Sequence, residues 1–100
     1  MTDPQKRAAA YAAGGLVGGI ARDVAAYAGP GRVVSGTGPA GPFHGPLVRA
    51  ETLPGDVVRL WVRNRRGDDT PHEVPGETSV IAHSVGYGER RQGQSNERNR

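Results

Sequence analysis

The stretch Val-Val-Arg-Leu-Trp-Val-Arg-Asn, residues 57–64, has the most regular pattern in this chain. Two sets of side chains alternate along it, with Val58, Leu60 and Val62 on one face and Arg59, Trp61 and Arg63 on the other. Alternation with a period of two is typical of a β-strand that buries one face and exposes the other. The segment is therefore the strongest strand candidate in the chain.

Further strands are predicted on both sides of this segment. Residues 47–52 and 78–85 have strand-like composition, and Glu73-Val74 predicts a short edge piece. Two of the strands follow similar turns, at residues 53–56 and 74–77, each with Pro-Gly in its centre. Proline followed by glycine is the type II turn signature, because glycine accepts the positive φ required there. Consecutive antiparallel strands are therefore expected, with residues 65–69 as a hairpin tip or a longer loop.

The N-terminal part predicts one helix over residues 4–28. Asp3 is a good N-cap, Pro4 suits the first helical position, and Gly29-Pro30 is a clean stop. The spacing of five apolar residues predicts a buried stripe, formed by Ala13, Val17, Ile20, Val24 and Tyr27.

The glycines within this helix leave alternatives open. Residues 14–15 and 18–19 are all glycine, and each costs a helix roughly 1 kcal/mol relative to alanine. The helix is expected to be unbroken or mildly kinked. The alternatives are a break at Gly14-Gly15 into two short helices, or a close approach of another backbone at the Gly14/Gly18 and Gly15/Gly19 spacings.

These elements predict an α+β fold, with an N-terminal helix packed on a small antiparallel β-sheet or partial barrel. Residues 1–88 are expected to form a single small domain. Within it, the Gly/Pro-rich segment 29–46 is interpreted as an arm with a short strand at 32–35 and an irregular loop at 36–46. Residues 89–100 form a polar, basic tail that has no apolar side chain to bury.

Composition limits what this chain can do alone. It has 100 residues, no cysteine and 35% hydrophobic residues, so its core is small and no disulfide supports it. Burial against a partner chain is the remaining source of stability. The apolar run 8–21 is shorter than the ~20 residues needed to cross a bilayer, and no signal-peptide pattern precedes it. The expected location is a virion or the cytoplasm, without secretion by a signal peptide or membrane attachment.

Charge and catalytic motifs give little indication of chemistry. Twelve arginines accompany the single Lys6, which we interpret chiefly as GC-rich coding bias, and the net charge is only +3. The three histidines, His44, His72 and His83, have no metal-ligand spacing, and no nucleophile-elbow or phosphate-loop motif is present. The sequence therefore predicts a protein that is not an enzyme, with no cofactor, metal or small-molecule substrate.

The exposed set Arg59, Trp61 and Arg63 admits three interpretations. The helix covers Trp61 while the arginine stems surround it, or the three residues form a protein interface, in which Trp and Arg are enriched. The third interpretation is a platform for single-stranded nucleic acid, with a base stacked on Trp61. The first two interpretations rank ahead of the third.

The function expected from these features is that of a structural subunit in a larger assembly. The favoured form is a bacteriophage-type virion protein, as a capsid decoration, minor head or head–tail joining protein. The alternative is a small basic nucleic-acid-binding or regulatory protein that uses Trp61 and the flanking arginines. The partners are expected to be other protein chains in a homo- or hetero-oligomer, with nucleic acid second. Phe43 is expected to anchor onto its own core or into a neighbour's pocket. The residues predicted to bind partners are Phe43, Arg59, Trp61, Arg63, Arg90, Arg91, Arg98 and Arg100.

Overall fold

The structure, a computed structural model, describes residues 4–85. Its elements are α1 (Pro4–Ala12), β1 (Val17–Ile20), α2 (Ala21–Tyr27), β2 (Val33–Gly38), β3 (Gly41–Leu53), β4 (Val57–Arg63), β5 (Asp69–Pro75) and β6 (Ser79–Ala82). The six strands form one antiparallel sheet in the order β1-β6-β2-β3-β4-β5. The predicted α+β fold with an antiparallel sheet is therefore confirmed, although the helical part is smaller than expected.

Strand β4 has the two faces that its sequence predicts. Val58, Leu60 and Val62 are at most 2% exposed, whereas the alternate residues are half-buried or exposed. The strand lies between β3 and β5, so both of its edges are hydrogen-bonded. Hydrogen bonding on both edges and alternating polarity together let this strand contribute three fully buried side chains to the core.

A bulge in β3 reverses which residues face the core. Leu47 pairs with Val62 of β4, but the next pair along the strand is Arg49 with Trp61, so Val48 is an extra residue. Before the bulge, odd-numbered residues such as Leu47 are buried. After it, Ala50 packs against the core. One extra residue shifts the side-chain alternation by one, which lets the 13-residue strand serve both halves of the sheet.

The single helix predicted over residues 4–28 is wrong, and the alternative of a break after residue 13 is right. Gly14 has φ of +80°, a left-handed conformation that ends α1. Residues 17–20 then form β1 and pair with β6, instead of entering a second helix directly. Gly19 leaves the space that the Tyr11 hydroxyl occupies, so a side chain approaches this glycine and not another helix backbone.

The predicted apolar stripe is therefore only partly correct. Val24 of α2 is fully buried, and Tyr27 packs against the core from the same helix. Ala13 is exposed, whereas Tyr11, which the helical spacing placed on the opposite face, is 3% exposed. Because residues 17–20 form β1 and not helix, the helical spacing of the apolar residues between 13 and 20 does not place them on one face.

The prediction of a Gly/Pro-rich arm over residues 29–46 is also corrected, because most of this segment belongs to a β-hairpin. Strands β2 and β3 pair from Val33–Pro46 to Gly38–Gly41, with Pro39-Ala40 at the tip. Its glycines serve packing. A Cβ on Gly38 would lie 2.8 Å from Val74 Cγ1, and one on Gly45 would overlap the carbonyl oxygen of Arg63. The absence of side chains at these positions lets β4 and β5 approach the hairpin closely.

The core lies between the inner face of the sheet and α2, with Tyr11 added from α1. Twelve apolar residues form one buried cluster: Tyr11, Ala21, Val24, Val34, Phe43, Leu47, Val58, Leu60, Val62, Val74, Val80 and Ala82. Phe43 is 6% exposed and its ring lies 4.7 Å from that of His72 on β5. Phe43 therefore anchors the hairpin to the chain's own core, which is the first of the two positions expected for it.

The two Pro-Gly turns differ from each other. Gly55 has φ of +81°, as the type II signature predicts, but Gly76 has no positive φ. Gly76 is buried instead, and a Cβ there would lie 2.9 Å from Asp56 Cγ. Asp56 in turn accepts two hydrogen bonds from the Arg22 guanidinium of α2, at 3.0 and 2.6 Å. The second glycine is thus required for contact between the turns, and not for a turn conformation.

Arg32 is the one strongly buried cation among residues 4–85, at 8% exposure. Its Nε donates to the His83 carbonyl at 2.6 Å, and one terminal nitrogen donates to the Tyr11 carbonyl at 2.7 Å. The other terminal nitrogen donates to the Gly15 carbonyl. These acceptors include a carbonyl at the C-terminal end of α1, where a cation is favoured. One guanidinium therefore ties α1, the loop before β1 and the end of β6 together.

His72 gives the fold a predicted pH dependence. Its ring is 8% exposed, its buried Nδ1 has no hydrogen-bond partner, and burial lowers its pKa below the ordinary 6.5. The unfolded chain therefore binds a proton at higher pH than the folded chain, so stability is complete above pH 6.5 and falls as the pH drops toward the folded pKa.

We expect the free energy of unfolding, measured by urea denaturation, to fall more between pH 7 and pH 5 in the natural protein than in His72→Leu. The variant lacks the buried imidazole but retains every carboxylate, so it controls for their titration. Parallel pH profiles for the two proteins would contradict the assignment of the acid sensitivity to His72.

Candidate functional site

The outer surface of β3, β4 and β5 is a charged face. Strand pairing brings its residues together across the sheet, because Arg49 lies opposite Trp61, Glu51 opposite Arg59, and Arg59 opposite Glu73. Its members are Arg49, Glu51, Arg59, Trp61, Arg63, Asp69 and Glu73. The structure therefore places the predicted set Arg59, Trp61 and Arg63 on one surface, together with carboxylates from both neighbouring strands.

Two of the three arginines of the charged face, Arg59 and Arg63, form ion pairs with these carboxylates. Arg59 lies between Glu51, at 3.3 Å, and Glu73, at 2.8 Å. Arg63 pairs with Asp69 at 2.8 Å. These exposed pairs contribute little to stability individually. They do, however, occupy the guanidinium groups that would otherwise bind the phosphates of a nucleic acid.

Two side chains contact Trp61, one at the edge of its indole ring and one over the face of the ring. Its Nε1 donates a 2.6 Å hydrogen bond to Glu51, and the Arg49 guanidinium carbon lies 4.7 Å from the ring centroid. The hydrogen bond from Trp61, aided by that from Arg59, lowers the pKa of the Glu51 carboxyl despite partial desolvation. A base that stacked on Trp61 would have to displace Arg49, so this arrangement favours a preformed protein surface over a nucleic-acid platform.

A second candidate surface surrounds β1 and was missed in the sequence, where residues 17–20 were assigned to a helix. Three large apolar side chains in the described part of the chain are exposed: Leu16 by 69%, Ile81 by 44% and Val85 by 65%. Leu16 immediately precedes β1, and Ile81 pairs with Gly18 of that strand. The Val85 backbone N–H donates to the Gly14 carbonyl at 2.7 Å. We call β1 with these three residues the β1 edge.

The two edges of the sheet differ in how they are protected. Strand β5 carries Pro71, Pro75, Asp69 and Glu73, and proline and charge both hinder the addition of another strand. Strand β1 has the sequence Val-Gly-Gly-Ile and carries neither proline nor charge. Among the strands of residues 4–85 it pairs only with β6, so its other side presents unpaired backbone groups. The uncharged sequence of this short strand indicates an unprotected edge. That indication can be used only after residues 17–20 are recognised as a strand.

The remaining predicted partner-binding residues, Arg90, Arg91, Arg98 and Arg100, lie outside the described residues. Within residues 4–85, no three His, Asp or Glu side chains are grouped so as to hold a metal ion. The same part of the chain has no helix of the length and hydrophobicity that a membrane crossing requires. No protein-family model, curated protein or solved structure matches this chain.

Proposed function

We propose that this protein is a structural subunit of a larger assembly and that it associates through the β1 edge. The observation that carries the proposal is the coincidence of an unprotected edge strand with the three exposed large apolar side chains Leu16, Ile81 and Val85. Exposed apolar groups beside unpaired backbone donors and acceptors favour addition of a strand from another chain. The protein acts by binding, without catalysis, cofactor or small-molecule substrate.

The asymmetry of the sheet also favours a particular mode of association. Head-to-tail stacking would require β1 to pair with β5, whose prolines and acidic residues oppose it. Pairing of β1 with β1 of a second copy is antiparallel about a two-fold axis and joins two six-stranded sheets. The basic unit of the assembly is therefore a symmetric dimer.

A bacteriophage-type virion protein is the form of assembly that we propose for this unit, as a capsid decoration, minor head or head–tail joining protein. The proposal rests on the small core, the exposed β1 edge and the segmented basic sequence. A nucleic-acid-binding role is the weaker alternative, because Arg59 and Arg63 are already paired with Glu51, Glu73 and Asp69, and Arg49 covers the Trp61 ring.

The proposal is tested with Gly18→Lys, a charge placed on the edge strand. Gly18 is exposed and has no atom within 4 Å of an added Cβ, so the substitution leaves the fold intact. Two lysines brought together by the two-fold axis repel each other. We expect light scattering after size exclusion to give about twice 10.5 kDa for the natural protein and 10.5 kDa for the variant. Their melting temperatures in dilute solution should be similar.

Thr37→Lys is the matched control, because Thr37 is also an exposed strand residue but lies on β2, away from the β1 edge. It should leave the dimer unchanged. A natural protein that stays monomeric at concentrations near 100 µM would contradict the proposal. Salt-sensitive, micromolar binding of an oligonucleotide, abolished by Trp61→Ala, would favour the alternative function instead.

A further inference from the structure

Two histidines face each other on the outer surface of the sheet, away from the charged face. His44 lies on β3, and His83 directly follows β6, where its backbone N–H donates to Val33 of β2 at 2.8 Å. The two imidazole rings lie across β2 with centroids 5.0 Å apart and planes inclined by 55°. The hydroxyl of Ser35, which pairs with His44 across the ladder, lies 2.9 Å from His83 Nε2.

This ring separation matches the one that a shared metal ion imposes. An ion about 2.1 Å from one nitrogen of each imidazole, with tetrahedral angles, places the two ring centroids about 5 Å apart. Rings inclined to each other, as here, direct their nitrogens toward a common point more readily than rings stacked in parallel. His44 is exposed and His83 half-buried, so an ion from solvent reaches both.

We propose that His44 and His83 form a binding site for a late first-row divalent transition metal, of which Zn²⁺ and Cu²⁺ are the representative ions. Imidazole is a preferred ligand of both metals. No third His, Asp or Glu of residues 4–85 joins the pair. Ser35 holds the His83 ring through its hydrogen bond, as an outer partner of a metal ligand does.

The electrostatic surroundings fit a site of moderate affinity. The Arg32 guanidinium binds the His83 carbonyl oxygen and is the cationic neighbour that opposes a metal ion. Cu²⁺ is expected to bind more tightly than Zn²⁺, since affinity for nitrogen ligands follows that order.

The first experiment titrates the full chain with ZnCl₂ at pH 7 and follows the histidine ring signals by NMR. The ring signals of His44 and His83 should shift together and saturate. The third histidine, His72, is an internal control, because its buried ring lies on the other face of the sheet. Rings of His44 and His83 that remain unmoved at millimolar Zn²⁺ would overturn the proposal.

The second experiment measures Zn²⁺ and Cu²⁺ affinity by calorimetry in His44→Gln and His83→Gln. Loss of even an outer partner of a metal ligand weakens binding by about 10–100-fold, so loss of either imidazole should weaken it at least about tenfold. Circular dichroism confirms that each variant remains folded. The matched control Glu77→Gln removes an exposed carboxylate in the β5–β6 turn and should leave affinity unchanged. Equal affinity in all three variants would place the metal elsewhere and overturn the site.

The metal site is independent of the proposed dimer, and the experiments separate the two. The monomeric variant Gly18→Lys should retain its Zn²⁺ affinity, and EDTA should leave the dimer of the natural protein intact. Loss of metal binding in Gly18→Lys would mean that two copies share the site and would overturn its assignment to one chain.

Discussion

Replacing Arg32 with methionine is expected to lower the free energy of unfolding by about 3–5 kcal/mol, the cost of losing several buried charged hydrogen bonds at once. The variant keeps most of the side-chain volume but removes the Arg32 donor from the carbonyls of Gly15 and His83, and leaves the Tyr11 carbonyl with only the Gly14 N–H. Unpaired buried carbonyls carry their full desolvation cost. The natural protein and the variant are compared by urea denaturation, with Trp61 fluorescence and circular dichroism as probes.

Arg22→Met is the matched control for this experiment. Arg22 makes two hydrogen bonds to Asp56, as short as those of Arg32, but both side chains are about half exposed. An exposed ion pair contributes at most about 1 kcal/mol. Arg32→Lys should fall between the two, because one ammonium cannot reach three carbonyls in different segments. Equal losses in Arg32→Met and Arg22→Met would show that burial of Arg32 has no energetic role.

Gly45→Ala is expected to destabilise the protein by about 3 kcal/mol, at the upper end of the range for overpacked cores. The added Cβ would overlap the backbone carbonyl of Arg63 and lie 3.3 Å from Val62 Cγ1. A backbone carbonyl in a central strand cannot rotate away as a flexible side chain can, so β3 and β4 must separate. The melting temperature should fall by more than 10 °C, given about 4–8 °C per kcal/mol for a domain of this size.

Gly18→Ala is the control for Gly45→Ala. Both glycines lie within strands, but an added Cβ at Gly18 meets no atom within 4 Å. Its effect should stay within about 0.5 kcal/mol, the usual range for an exposed site. If both variants lose the same stability, the cause is the general behaviour of alanine in these strands, and the proposed steric contact at Gly45 is wrong.

The strands with alternating polarity were predictable from the sequence, and those rich in glycine were not. In β4 the local pattern and the tertiary environment agree, because Val58, Leu60 and Val62 are all buried. In β1 they disagree: an Ala-rich surrounding sequence favours helix, but pairing of residues 17–20 with β6 overrides it. The β2–β3 hairpin was read as an arm because its glycines look like turn residues, whereas Gly38 and Gly45 serve contacts between distant strands.

The sequence predicts which three residues of β4 share the charged face, but not the ion pairs that they form. Alternation in one strand was enough to place Arg59, Trp61 and Arg63 on one face. Their carboxylate partners come from neighbouring strands, so the ion pairs depend on a register that the sequence does not reveal. Arg32 shows the same limit, since its three acceptors lie 17–51 residues away along the chain. The interpretation of the many arginines as coding bias gives no indication that Arg32 is the most buried cation in the described part of the chain.

The extra residue Val48 determines which side chains of β3 face the core. Upstream of it the odd-numbered residues Phe43, Gly45 and Leu47 are buried, and downstream the even-numbered Ala50 packs against the core. Removing Val48 would restore simple alternation with Leu47 still inside and Arg49 and Glu51 still outside, whereas removing one residue elsewhere in the strand would turn the residues beyond it to the opposite face. Away from the bulge, length variation along this strand is therefore constrained by parity, whereas the bulge itself can lose its single extra residue without turning either half of the strand over.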